Sequence, residues 1–142
     1  MIFSVLSRAG AIAYSYKNDI PKTAIISISD VYSENIQEEH PAFAQNPQIE
    51  NVLYLHFNDV EKGEPFAITD EDGRKIADFV RNLPKTTEQI LVHCGAGVSR
   101  SAGVCAAIIK YLTGDDSIIF GSGKYCPNMT CYRTVLNALY FS

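Results

Sequence analysis

Between Val92 and Gly103 the chain reads VHCGAGVSRSAG. His93 and Cys94 stand side by side, and Arg100 follows after Gly95, Ala96, Gly97, Val98 and Ser99. A cysteine attacks as its thiolate, and a free thiol ionises only near pH 8.5; a helix N-terminus and a neighbouring cation lower that value. The small residues after Cys94 let the backbone close around a ligand. Arg100 offers a planar fork of donors matched to two oxygens of a phosphate. The chemistry this spacing predicts is displacement at the phosphorus of a bound dianion, through a cysteinyl-phosphate intermediate.

Such a loop needs a strand to enter it and a helix to leave it. QILVH, with a strand expected over Ile90–His93, runs straight into Cys94. SRSAGVCAAIIKYLTG reads as a helix that starts near Ser99 or Arg100 and stops at Gly114. The loop therefore sits at a helix N-terminus, where several N–H groups and the helix dipole favour an anion. Further strands are expected at Ile2–Leu6, Ala24–Ser29 and Val52–Phe57. TAIISIS and NVLYLHF are nearly continuous in apolar character, as expected for strands covered on both faces. Thr69 reads as the N-cap of a helix whose Ile76, Phe79, Val80 and Leu83 share a face and which Pro84 stops. NMTCYRTVLNALYF is a third helix, and HPAFAQNP reads as a surface excursion. Alternating strands and helices predict an α/β fold, a central and largely parallel sheet of about four or five strands flanked by helices.

The 142 residues predict a single domain spanning 1–142, and the net charge of −4 is mildly acidic. Nucleic-acid and anionic-membrane binders usually carry clustered Lys and Arg, so neither partner is expected. No apolar run is long enough to span a membrane. The opening MIFSVLSRAG is short and lacks a basic region before it, so it reads as a first strand rather than a signal peptide. Cys94, Cys105, Cys126 and Cys131 match no zinc framework, and a metal site built from His56, His93 and Cys94 fails on spacing. No metal and no cofactor are expected. Reduced thiols point to a cytoplasmic location.

The stretch His-Cys-x-Ala-Gly-x-Ser-Arg-Ser resembles the signature of the cysteine-dependent protein tyrosine phosphatases, and its fuller form is similar to the dual-specificity branch. Its place about two-thirds along the chain fits that branch; low-molecular-weight tyrosine phosphatases carry Cys-x5-Arg near the N-terminus. The resemblance covers most of the chain from about Ala24 and includes CPNMTCYRTVLNAL. It implies a single phosphatase domain with Cys94 as nucleophile and Arg100 binding phosphate and stabilising the transition state. Ser101 would assist the leaving thiolate, and His93 would hold the loop and tune the cysteine. The backbone from Gly95 to Ser99 would bind phosphate oxygens, and Asn128 would help order the site floor or simply cap its helix.

Displacing an alkyl or aryl oxygen needs a general acid. The resemblance implies an aspartate on a mobile loop after the preceding strand, and LHFNDVEKGEPF puts Asp59 there. Asp70 and Asp72 are rivals better suited to stabilising a helix N-terminus. His56 and Cys105 read as structural. The function this implies is a phosphoprotein phosphatase acting on phosphotyrosine and also on phosphoserine and phosphothreonine, with a phosphorylated protein or peptide as partner. The alternatives are an RNA 5′-triphosphatase, a phosphoinositide phosphatase, or a catalytically silent phosphoresidue-binding module. The uncharged Gly95–Val98 segment counts against inositides, and the retained Cys, Arg and Asp count against a silent module. The oligomeric state, and any redox role of Cys105, Cys126 or Cys131, stay open at this level.

Overall fold

The computed structural model describes residues 1–141. Four strands form one fully parallel sheet: β1 (Ile2–Ser7), β2 (Thr23–Ser29), β5 (Ile49–His56) and β6 (Gln89–Cys94), in the order β1-β6-β2-β5. Between β2 and β5 a small antiparallel hairpin is made by β3 (Val31–Ser33) and β4 (Ile36–Gln37). The helices are α1 (Arg8–Ser15), α2 (Asp70–Arg81), α3 (Arg100–Thr113), the single turn α4 (Ser117–Phe120) and α5 (Met129–Phe141). The α/β architecture and the four expected strands are present.

Alternation along the strands divides the core between the two faces of the sheet. Ile26, Ile28, Ile90 and Val92 join α2, α3 and α5 in the larger cluster. Ile25 and Leu91 point the other way, to Ala11 of α1, with Leu6 and Phe43 packed alongside. The central strands β2 and β6 are buried at every residue, as their apolar runs predict. β5 departs from that expectation. It is an outer strand and only partly covered, with Tyr54 exposed, because a neighbouring strand flanks it on one side alone.

α2 begins where the sequence places it. Thr69 and Asp72 form a reciprocal capping box, with Thr69 Oγ1 accepting from Asp72 N at 3.1 Å and Asp72 Oδ2 from Thr69 N at 2.9 Å. This occupies Asp72 structurally. α1, the β3–β4 hairpin and α4 have no counterpart in the sequence reading. α1 is short, and its cap is Ser7, whose hydroxyl accepts from Gly10 N at 3.0 Å. The segment HPAFAQNP is not simply a surface excursion: Pro41 is buried, and Phe43 lies edge-on to the His93 ring.

α3 is buried from Arg100 to Ile109 and lies between the sheet and α5. Gly103 allows that approach. A Cβ there would collide with the backbone carbonyl of Asn128 and come within 3.2 Å of Cys131 Cβ. Helix propensity favours alanine over glycine by about 1 kcal/mol. Overpacking against a backbone that cannot rotate away costs about 1–3 kcal/mol. Gly103→Ala is therefore expected to lower the urea midpoint of unfolding despite its better propensity; a midpoint equal to or above wild type would mean that α5 shifts freely.

Candidate active site

Cys94, Arg100, Ser101, Asp59 and Asn128 gather outside the carboxyl ends of the parallel strands, where ligands bind in open α/β sheets. Cys94 ends β6, and α3 starts six residues later at Arg100. The intervening turn is held against β1. Gly97 has φ +73°, and a Cβ there would strike the backbone of Leu6 and Ser7. Arg8 N also donates to Gly95 O at 3.1 Å. On its other side the loop is strapped to the segment before α5: Cys126 N donates to Val98 O and Asn128 N to Ser99 O, each at 3.0 Å.

Cys94 is almost completely buried. Burial by itself pushes its thiol pKa up. The Ser101 side chain and backbone, the Gly97 N–H and the positive charge of Arg100 together outweigh that effect and bring the pKa below its ordinary value. Ser101 Oγ lies 3.1 Å from Cys94 Sγ, and Gly97 N donates to the sulfur at 3.3 Å. Cys105 and Cys131 are also buried but lack this set of donors, and burial pushes each thiol up to about 12. Cys126 is exposed. The environment of Cys94 alone favours a buried thiolate.

Strand register explains the neighbour of Cys94. His93 pairs with Ser27 across β6 and β2, on the face shared with Ile25 and Leu91. Its Nδ1 lies 3.1 Å from Cys94 O and its Nε2 2.5 Å from Ser27 Oγ. A carbonyl only accepts, so the ring proton sits on Nδ1 and Ser27 donates its hydroxyl hydrogen to Nε2. Burial chiefly holds the pKa of His93 below its usual value, against the raising effect of its bond to Cys94 O, so the ring is neutral. Sequence reading passed over Ser27. The polar residue in the otherwise apolar run TAIISIS was the signal that could have found it.

Ser99 occupies the N-cap position of α3 but makes no cap bond. Its hydroxyl donates instead to Asp59 Oδ1 at 2.7 Å. With this hydroxyl turned away, the first turn of α3 has no side-chain cap, and its Ser101 N–H serves the Cys94 sulfur. Asp59 Oδ1 also accepts from Asn128 Nδ2 at 2.9 Å. The loop that carries Asp59 is tied at several points. Asn58 bonds through its side chain to both N and O of Val31, Asn128 Nδ2 donates to Val60 O, and Lys62 N donates to Thr130 Oγ1. The segment expected to be mobile is thus docked, with its carboxylate already at the turn between Cys94 and Arg100. Asn128 makes two contacts at once: Nδ2 donates to Asp59 Oδ1, and Oδ1 accepts from Cys131 N at 3.0 Å as the cap of α5. Asp70 and Asp72 lie at the start of α2, away from this contact. His56 Nε2 bonds to Glu38 O at 2.8 Å.

Arg100 is buried, and its Nη1 lies 2.6 Å from Asp30 Oδ1 and 2.8 Å from Phe57 O. Asp30 is the site's other unforeseen member. Nothing in its spacing marks it, because it meets Arg100 only through the fold.

No family model matches the chain. A search of curated proteins finds the dual specificity protein phosphatase PPS1 of Saccharomyces cerevisiae, 50% identical over 42 residues. That match spans 29% of this chain and 5% of the yeast protein. Among solved structures, the human tyrosine phosphatase-like serine/threonine/tyrosine-interacting protein superposes with a TM-score of 0.56 at 23% identity, covering 84% of this chain and 79% of that one. Human DUSP28 gives 0.55 at 17% identity over 97% and 91% of the two chains. A mouse putative dual specificity phosphatase gives 0.54 at 15% identity over 94% and 79%. The resemblance seen in the sequence therefore holds in the fold, with its parallel sheet flanked by helices.

The donors around Cys94 lead to a direct test. Ser101→Ala removes one bond that favours the thiolate, so the pH midpoint of Cys94 alkylation by iodoacetamide is expected to rise. Peptide mass spectrometry separates Cys94 from exposed Cys126. An unmoved midpoint would mean that Ser101 does not stabilise the thiolate.

Proposed function

We propose that this chain, which has the fold of the dual-specificity phosphatases, is a phosphoprotein phosphatase that works through a cysteinyl-phosphate intermediate. The observation that carries the reading is the buried Cys94 sulfur, which receives hydrogen bonds at the uncapped start of α3 while the Asp59 carboxylate rests on Ser99 of the same loop. The fold alone does not separate an enzyme from a binding module. The presence and joint placement of Cys94, Arg100 and Asp59 favour turnover.

In the first step the Cys94 thiolate forms an S–P bond as the P–O bond to the leaving group breaks. The backbone N–H groups from Gly95 to Ser99 and the Arg100 guanidinium hold the three non-bridging oxygens, whose charge they balance in the transition state. Asp59, in its protonated form, delivers its proton to the departing oxygen. In the second step water attacks phosphorus and gives up a proton to the Asp59 carboxylate, and the S–P bond breaks. Ser101 then donates a hydrogen bond to the returning thiolate. His93 acts as a positioning residue: its bond to Cys94 O fixes the peptide at the mouth of the loop.

The side chains from Gly95 to Val98 carry no charge, which favours a phosphorylated protein over an inositide with several phosphates. Phosphotyrosine leads, with phosphoserine and phosphothreonine accepted. No helix among the described residues is long and apolar enough to cross a membrane. The free cysteines suit a reducing compartment, and we place the protein in the cytoplasm.

Aryl phosphates of graded leaving-group pKa test the mechanism. Cys94→Ser is expected to abolish turnover and keep oxyanion binding, and EDTA to change nothing. Asp59→Asn should slow poor leaving groups by about 10²–10⁴-fold and spare activated ones. Wild-type turnover in Cys94→Ser would end the proposal. A flat leaving-group response in Asp59→Asn, with a steep one in Asp70→Asn, would move the acid elsewhere.

A further inference from the structure

The guanidinium of Arg100 has five N–H donors in a fixed plane. Both hydrogens of Nη1 are engaged, one by Asp30 Oδ1 at 2.6 Å and one by Phe57 O at 2.8 Å. Three donors remain, on Nε and Nη2, and these two nitrogens form one straight edge. Nη2 overhangs the loop, at 3.4 Å from the position a Cβ would take on Gly95. Tying down Nη1 therefore leaves the free edge over the turn that follows Cys94.

Asp30 is itself fixed in place. It follows directly on β2, and its N–H donates to Glu38 Oε1 at 2.9 Å, while Glu38 N donates to Asp30 O at 3.0 Å. Glu38 also pairs with Arg8 at 3.5 Å. The next residue, Val31, is held through both its N and O by the side chain of Asn58, which adjoins Asp59. The β3–β4 hairpin thus serves as a bracket that presents a carboxylate to Arg100. The Asp30 side chain is 43% exposed and that of Arg100 only 8%, so the carboxylate can be removed without opening the core.

We propose that Asp30 is a positioning residue for phosphoryl transfer: it orients the Nε–Nη2 edge of Arg100 for in-line transfer rather than adding to ground-state binding. A carboxylate near the site opposes the entry of a dianion. Its benefit must therefore come from geometry, which matters most when the oxygens reach their transition-state positions. A purely structural role would shift ground-state and transition-state binding together; this one separates them.

The test compares wild type, Asp30→Ala and Asp30→Asn in full-length protein. Calorimetry measures binding of inorganic phosphate and of vanadate, whose trigonal bipyramidal adduct resembles the transition state. Steady-state kinetics with an aryl phosphate gives kcat. For Asp30→Ala we expect kcat to fall about 10²-fold and vanadate affinity by about tenfold or more, the scale of a misplaced catalytic group. Phosphate affinity should change by less than about threefold, because lost order and lost repulsion offset each other. Asp30→Asn keeps an acceptor for Nη1 and should fall between the two. The proposal is overturned if kcat and vanadate affinity in Asp30→Ala stay within about twofold of wild type. Parallel loss of phosphate and vanadate binding, with a lowered Tm, overturns it too. It rests on the phosphatase reading above only for its kinetic arm. If wild type turns over no aryl phosphate, that reading fails, while the vanadate-to-phosphate comparison still decides the role of Asp30.

Discussion

A buried thiolate must be solvated by the protein itself. Cys94 is shut away from water, and burial alone would keep it protonated. The turn after Cys94 and the first turn of α3 answer that constraint. The turn from β6 into α3 aims Gly97 N at the sulfur, Ser101 on the first turn of α3 supplies a hydroxyl, and Arg100 adds positive charge. The turn can take this shape only because Gly97 fits against the backbone at the end of β1. Cys105, one helical turn further into α3, shows what burial does without such donors. Two buried thiols, one at the end of β6 and one on α3, thus have opposite pKa shifts, and the difference comes from the donors each position provides.

A second constraint follows from burying a cation beside that sulfur. Isolated buried charges are costly, so Arg100 must find partners. The end of β5 supplies the Phe57 carbonyl, and the residue after β2 supplies the Asp30 carboxylate. Adjacent parallel strands end at the same level, so these partners arrive from separate segments without a dedicated loop. The Asp59 segment uses the same arrangement, tied to Val31 on one side and to the start of α5 on the other. This polar network ties the segments around the place where an anion would sit and leaves the Nε–Nη2 edge of Arg100 over for it.

What the sequence made legible was whatever is local. The strand–loop–helix around Cys94, the Thr69 N-cap of α2, the stop at Gly114 and the apolar runs of β2 and β6 all follow from patterns within a few residues. Gly114 does take φ +83° as the C-cap of α3. Asp59 was singled out because the resemblance implies an aspartate after that strand, and it lies against Ser99. What lay hidden depends on strand order. Ser27 meets His93 because β2 and β6 are neighbours in a given register, and Asp30 meets Arg100 because β2 ends beside the loop. β5 looked doubly covered because its composition matches β2, and only the order β1-β6-β2-β5 places it at an edge. α1 escaped notice because eight residues carry too little periodicity, although Ser7 is a sound N-cap.

The bonds to the Cys94 sulfur are local, but those that hold Arg100 and Asp59 in place are remote in sequence. Arg100 and Asp30 are 70 residues apart, and Asn128 and Asp59 are 69. Contacts of this span form late, after most of the loop-closure entropy has been met. Until then Cys94 lacks Arg100 and Ser101 in their native positions and has the reactivity of an ordinary cysteine. A chain still emerging from the ribosome, or one partly unfolded, presents a largely protonated thiol that is slow to react with peroxide or electrophiles. Folding thus acts on Cys94 in two opposed ways, closing it off from a probe while supplying the donors that favour its thiolate, so the pH midpoint of its alkylation, not the bare rate, follows the last stage of assembly.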